Sequence, residues 1–372
     1  MANDIQTYLR LMVNHGGSDL FLSPGAPATV KIEGLAQPMA NRELDADEVK
    51  ALVYSVLDLE EIRRFEEDLE LNKALDLEDI GRFRINVYRQ RGMTALVARH
   101  IRTEVPSLSE LGMPALLERL SMEERGLVLI TGAAGSGKST TMASMIDYRN
   151  QHRAGHILMI EDPVEFIHSH KKAIVDQREI GLDTHSFGNA LRNAMREAPD
   201  VIAIGEIRDL ESLKYALNYA ETGHLCLATL HASNAHQTLE RVLNFYDQQH
   251  HPQVLLDLSL HLKAIVSQRL LRGVDGKRVP AVEIMMNTPF IAELIQSGRI
   301  DEIGSTISQH NQEGACSFDQ SLYRLWKDGK ISKDEALTHA DSRANLSVQI
   351  RLDPGPDHRP TGRTSFDNVG LQ

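Results

Sequence analysis

Residues Gly132-Ala-Ala-Gly-Ser-Gly-Lys138-Ser139-Thr140 constrain this chain more than any other stretch. They match G-x-x-x-x-G-K-[ST], a phosphate-cradling loop that works only between a buried strand and the helix that follows it. Leu127-Val-Leu-Ile-Thr131 supplies the apolar strand, and Thr140–Asn150 reads as the helix. In such a loop, glycines let backbone N–H groups close around the β- and γ-phosphates, and a lysine adds a point charge. The expected phosphate-binding set is therefore Gly132, Ala133, Ala134, Gly135, Ser136, Gly137, Lys138, Ser139 and Thr140, with Ser139 placed to ligate Mg²⁺. By itself the motif says that a nucleoside triphosphate binds.

The surrounding pattern says what kind of sheet carries the loop. From residue 126 onward, strand candidates at 127–131, 156–160, 201–205 and 225–230 alternate with helical stretches such as Phe187–Glu197 and Asp209–Glu221. Near-continuous apolar strands separated by helices predict a mainly parallel α/β sheet covered on both faces. After 253 helical spacing dominates, with Val254, Leu255, Leu258, Leu262, Ile265 and Val266. Residues 1–102 look different: short helices mix with alternating strands, including Arg82-Phe-Arg-Ile-Asn-Val-Tyr88, which can pair with Met93–Ile101 through Gln90-Arg91-Gly92. That predicts a small α+β domain. Pro106, Gly112 and Pro114 mark 103–118 as a linker, 119–350 forms the second domain, and the Pro/Gly-rich tail 351–372 is expected to be disordered.

At 372 residues the chain can hold two cores. A net charge of −12 argues against a dedicated nucleic-acid surface. No apolar run reaches membrane-spanning length and no signal peptide is visible, so no direct membrane insertion is expected. The two cysteines, Cys226 and Cys316, read as reduced cytosolic thiols.

In a parallel α/β sheet, ligands bind beyond the carboxyl ends of the strands. Here those ends carry the loop, then Glu161-Asp162, then Glu206, then His231. Phosphoryl transfer to water needs Mg²⁺ and a carboxylate that orients the attacking water. Glu206 is the expected base, and Ser139, Glu161 and Asp162 the expected metal set, partly through water. Asp162 serves equally well as a helix N-cap. His231, at a strand end beside the γ-phosphate, is expected to couple nucleotide state to a neighbouring subunit. His224, at the other flank of the same strand, divides evenly between a structural histidine and a nucleotide contact. Arg82 and Arg84 share one face of a strand. With Arg99 they are candidates for transition-state arginines supplied from the first domain, or plain surface residues.

With these ends in place the chain resembles the secretion ATPase superfamily of type II secretion and type IV pili, and within it the pilus retraction ATPases of the PilT/PilU group. Gly132–Thr140 resembles their Walker A box and Ile157-Leu-Met-Ile-Glu-Asp-Pro-Val-Glu-Phe166 their aspartate box. Pro199-Asp-Val-Ile-Ala-Ile-Gly-Glu-Ile-Arg-Asp209 resembles Walker B, and Thr222-Gly-His-Leu-Cys-Leu-Ala-Thr-Leu-His231 the histidine box. Gly17-Ser-Asp-Leu20 and Arg82-Phe-Arg-Ile-Asn86 resemble the amino-terminal domain. The resemblance implies a PAS-like α+β domain followed by a RecA-like P-loop ATPase domain, and a homohexamer that hydrolyses ATP with Mg²⁺. It also implies work on the inner-membrane pilus platform protein (PilC-like) from the cytoplasmic side of the pilus base. Catalytic roles would fall on Lys138, Glu161, Glu206, His231, Arg82, Arg84 and Arg99.

Two cysteines cannot build the four-cysteine zinc motif of the assembly ATPases. Pro289-Phe-Ile-Ala-Glu-Leu-Ile-Gln-Ser-Gly298 lacks the arginines that PilT proteins carry there, whereas Ser317-Phe-Asp-Gln-Ser-Leu322 and Lys330-Ile-Ser332 look like PilU members. The sequence thus points to an accessory retraction motor working through a PilT-type partner. A primary PilT-type motor, a RecA-like helicase and a nucleotide-gated scaffold remain as alternatives.

Overall fold

The computed structural model describes residues 4–32, 34–101, 103–309 and 314–353, which fall into two units. The first runs up to Val105 and takes in Pro163–Ser169 and Arg178–His185; the second holds Pro106–Asp162, His170–Gln177 and the chain from Ser186 onward. The sequence offers a single division within 103–118. The two later returns to the first unit carry no composition change that would announce them.

The first unit begins with α1 (Ile5–Asn14), which Asp4 caps and which buries Ile5, Leu9 and Met12 along one face. Strands β1 (Asp19–Leu22), β2 (Ala26–Ile32) and β3 (Leu35–Leu44) follow, then α2 (Ala46–Tyr54) and α3 (Leu59–Asp68). Asp45 with Glu48, and Asp58 with Glu61, close capping boxes at the starts of these two helices. β4 (Glu70–Leu77), β5 (Gly81–Gln90) and β6 (Met93–Ile101) complete a sheet of order β3-β2-β1-β6-β5-β4, antiparallel throughout. The expected β5–β6 hairpin forms: Gln90 pairs with Met93, and Arg91 and Gly92 both take positive φ, as a two-residue turn matched to strand twist requires. The edge strands β3 and β4 were not legible. β3 buries only Leu44, so it shows no inward-facing alternation to read.

The second unit opens with α4 (Leu116–Ser121) and then alternates β7 (Gly126–Gly132), α5 (Lys138–His152), β8 (Gly155–Glu161), β9 (Ala173–Glu179, whose last two residues count with the first unit), α6 (Phe187–Ala194), β10 (Val201–Ile204), α7 (Leu210–Glu221) and β11 (Leu225–Leu230). Next come α8 (Ala235–Asn244), α9 (His251–His261), β12 (Leu262–Arg272) and β13 (Arg278–Met286). Five helices close the described chain: α10 (Pro289–Gln296), α11 (Ile303–Gln309), α12 (Phe318–Lys327), α13 (Lys333–Thr338) and α14 (Arg343–Leu352). Strand order is β13-β12-β7-β11-β10-β8-β9. The β12-β7-β11-β10-β8 neighbours are parallel and β13 runs antiparallel to β12.

All residues of β7, β10 and β11 are buried, so the sheet centre is covered on both faces. Each such aliphatic side chain contributes about 1.5–3 kcal/mol relative to exposure. Leu262, Ile265 and Val266 correct the sequence reading: they lie on β12, not on a helix. A short apolar run buried on both faces gives the same spacing as a buried helix, so periodicity could not separate the two. Arg351 and Leu352 close α14, and the tail from 354 lies outside the described residues.

Candidate nucleotide site

The loop between β7 and α5 is shaped by glycines at both ends. Gly132 has φ +153° and Gly137, which caps α5, has φ +89°, a backbone state that side chains with a Cβ avoid. Ala133, Ala134 and Gly135 form an exposed tip. Lys138 is 8% exposed, and its Nζ donates to the carbonyls of Gly132 at 3.0 Å and Ala133 at 2.9 Å. The lysine therefore folds back on the loop it is expected to serve. Ser136 Oγ is buried and has no hydrogen-bond partner. A buried hydroxyl in that state costs free energy until something accepts or donates to it. An anion in the loop would meet that need, so the residues present fit a phosphate. Ser139 follows Lys138 in the first turn of α5.

Strand order places the other candidates along the same edge. β11 lies beside β7 and β10 beside β11, so His231 and Glu206 leave the sheet next to the loop strand, with Glu161 beyond them on β8. Gly205 permits this crowding, since a Cβ there would stand 3.1 Å from Glu161 Cα. Glu206 accepts from Arg208 Nε through one oxygen and pairs with His231 Nε2 through the other. Arg208 also reaches Asp162 at 2.9 Å. The structure thus joins Glu206 to Asp162 through Arg208, which the sequence reading did not single out, and joins His231 to Glu206 directly. Arg208 is held further into its cationic form, first by its hydrogen bond to Glu206. Glu161 is 5% exposed and accepts from Gln177 Nε2 at 3.0 Å. Among the described residues, no group of three His, Cys, Asp or Glu side chains forms a metal cage.

Other candidates stand elsewhere. His224 sits at the opposite end of β11, where its carbonyl accepts from Gly126 N at the start of β7, so it is not brought to the loop. The three arginines belong to the first unit and share one face of its sheet. Arg84 stands directly opposite Arg99 across β5–β6, and Arg99 opposite Asp19 across β6–β1. Arg99 pairs with Asp19 at 2.7 Å, Arg84 approaches Glu179 at 3.6 Å and Arg82 approaches Asp76 at 3.6 Å.

The model of the type II/IV secretion system protein family matches residues 4–323. The chain belongs to that family. Among curated relatives of this secretion-system member, the type IV pilus ATPase PilU of Pseudomonas aeruginosa is 46% identical over 350 residues, covering 94% of this chain and 92% of the relative. The type IV pilus retraction ATPase PilT of the same organism is 40% identical over 343 residues, covering 92% of this chain and 100% of the relative. The solved structure of the pilus retraction motor PilT with bound ADP matches with a TM-score of 0.86 at 39% identity, over 93% of this chain and 99% of that one. The resemblance carried by the four boxes therefore extends over 92% of that PilU and the whole of that PilT.

The structure of this family member also shows residues that the motifs omit. Gln268 on β12 stands opposite Gly132, and Thr141 Oγ1 on α5 donates to its Oε1 at 2.9 Å. A cavity of about 340 Å³ beside the loop tip is lined by Ala134, Ser136, Ser233, Gln268, Arg278 and His339 among others. Next to Gln268, Arg269 donates to His339 O and Asp341, both at 2.7 Å, and covers the ring of Phe318. On β13, Glu283 is 5% exposed and accepts from Ala235 N at 2.8 Å. Burial, above all, pushes its carboxyl up to about 7. The apolar run 264–266 is the one signal of β12 in the sequence, and its spacing reads equally as a helix.

Proposed function

We propose that this secretion-family chain is a Mg²⁺-dependent ATPase motor of the type IV pilus, an accessory PilU-like one that supports retraction and twitching motility. One observation carries the reading: the glycine loop with Lys138 shares a sheet edge with Glu206, two strands away. Phosphates in the loop take Lys138 from the Gly132 and Ala133 carbonyls and give Ser136 Oγ a partner. Mg²⁺ would be held by Ser139 and phosphate oxygens, and through water by Glu161 and Asp162, the ligand mix this ion favours. It supplies neutralisation of the phosphate charge. Glu206 orients and polarises the attacking water once Arg208 and His231 release its oxygens.

In this reading the first unit is PAS-like and the second RecA-like, and the chains form a homohexamer. Arg82, Arg84 and Arg99 supply transition-state charge, a contribution of about 10³–10⁵ in rate where such arginines act. Ring deformation on hydrolysis acts at the cytoplasmic face of the pilus base, on a PilC-like platform protein and with a PilT-type ATPase. Among the described residues no helix is long and apolar enough to cross a membrane. The alternative, a primary PilT-type motor, is supported by 40% identity over the whole length of PilT. Retraction measured in cells carrying this chain with and without PilT separates the two. Retraction by this chain alone overturns the accessory role; dependence on PilT, with loss of function in Lys138→Ala, supports it.

A further inference from the structure

Both glycines that bracket the loop lean on one residue outside the motif. Gln268 is 2% exposed and closes the β12–β7 ladder opposite Gly132. Its backbone oxygen lies 2.5 Å from the position a Cβ on Gly132 would take, and its Nε2 lies 2.8 Å from that of a Cβ on Gly137. Its Oε1 accepts from the hydroxyl of Thr141, a fully buried residue in the first turn of α5. That bond turns the carbonyl end of the amide toward the helix and the NH₂ end, a donor only, toward Gly137. Gln268 and Thr141 are 127 positions apart in sequence, so tertiary structure alone builds this brace.

We propose that Gln268 is a positioning residue of the phosphate site. Its amide sets the spacing between the two glycines and aims a donor dipole at the back of the loop where phosphate charge collects. The proposal rests on the reading that the loop binds nucleotide. It separates shape from charge. Gln268→Glu keeps the shape but puts an ionisable carboxyl behind the phosphates. Gln268→Leu keeps most of the volume and removes the donor.

The test is binding of fluorescent ADP to the full chain, each variant referred to the wild type at the same pH. Gln268→Glu is expected to weaken ADP about tenfold or more near pH 8, and to recover toward the leucine variant near pH 5.5 as the carboxyl takes up a proton. Gln268→Leu is expected to cost about threefold at every pH. Affinity of the glutamate variant within about twofold of wild type near pH 8 overturns the proposal. So does an equal, pH-independent loss in both variants, which would mean packing alone. If Gln268→Glu does not fold, as read from its thermal transition without nucleotide, Thr141→Val serves instead. It frees the amide to turn and is expected to weaken ADP about threefold, an unchanged affinity overturning the proposal. A wild-type chain that binds no ADP, or a Lys138→Ala chain that binds it normally, would sink the nucleotide reading instead.

Discussion

The loop and the acid cluster stand at neighbouring strand ends of one sheet, yet they are held in opposite ways. The loop is fixed by backbone: two glycines in conformations closed to other residues, a buried lysine bonded to carbonyls, and Gln268 behind them. The acid cluster is fixed by charge. Glu206 and Asp162 share Arg208, whose side chain is 52% exposed, and Glu206 also holds His231, which is 41% exposed. Exposed ion pairs are each worth only about 0.2–1 kcal/mol and exchange partners readily. One corner is a backbone-built cradle; the other is a set of ion pairs, which under the proposed function would be exchanged when nucleotide binds.

Substituting the central residue of each corner gives the largest expected effects and the sharpest contrast. Lys138→Ala should abolish nucleotide binding and turnover together. Glu206→Gln should lower turnover by about 10²–10⁴ while ATP still binds, since an amide cannot take the proton. Single-turnover hydrolysis and equilibrium binding on the same preparations check both. Wild-type rates in Glu206→Gln would remove it as the base.

A third carboxylate, Glu283, tests the same contrast by stability. Unlike Glu206 it has no ion-pair partner among the described residues; it accepts from the Ala235 N–H, and burial, opposed only in part by that bond and the charge of Arg269, raises its carboxyl to about 7 against an ordinary 4.5. The folded chain then keeps a proton that the unfolded chain gives up, so this group's contribution is full below about pH 4.5 and is lost as pH rises to about 7. Glu283→Gln should flatten that part of the stability profile, gaining up to about 3 kcal/mol over wild type above neutrality. Denaturant midpoints across that range measure it, and parallel profiles for the two proteins would contradict it.

The steric account of the loop predicts a somewhat smaller loss from Gly137→Ala. The left-handed conformation costs a residue with a Cβ about 1–2 kcal/mol, and the added carbon would press on Gln268 Nε2. ADP affinity should fall about tenfold. Affinity equal to wild type would mean that the loop is not held by its glycines.

How much of this was legible follows from how each part is encoded. The loop, the strands on either side of its helix and the acids at strand ends are local, and short-range pattern carries them. The β5–β6 hairpin was readable because Arg91-Gly92 supplies its turn. Gln268 was not, because a buried glutamine in an apolar strand has no signature until β12 is laid beside β7. Arg208 stood inside a recognised box, but its task appears only where the ends of β8 and β10 bring Asp162 and Glu206 within its reach. Segments 163–169 and 178–185 return to the first unit without a linker of their own.

Arg208→Ala should give the smallest change and decides whether the two corners differ in kind. If its pairs are exchangeable, losing them should alter stability by no more than about 1 kcal/mol, because solvent and His231 take up the released carboxylate of Glu206. ADP affinity should stay within about threefold of wild type, well short of the Gly137→Ala loss. A half-exposed guanidinium gives back to water much of what it gains from Asp162 and Glu206. A thermal transition as far displaced as that of the glycine variant would mean that the acid corner is as rigidly built as the loop. Glu206 would then need more than the arrival of a phosphate to be set free.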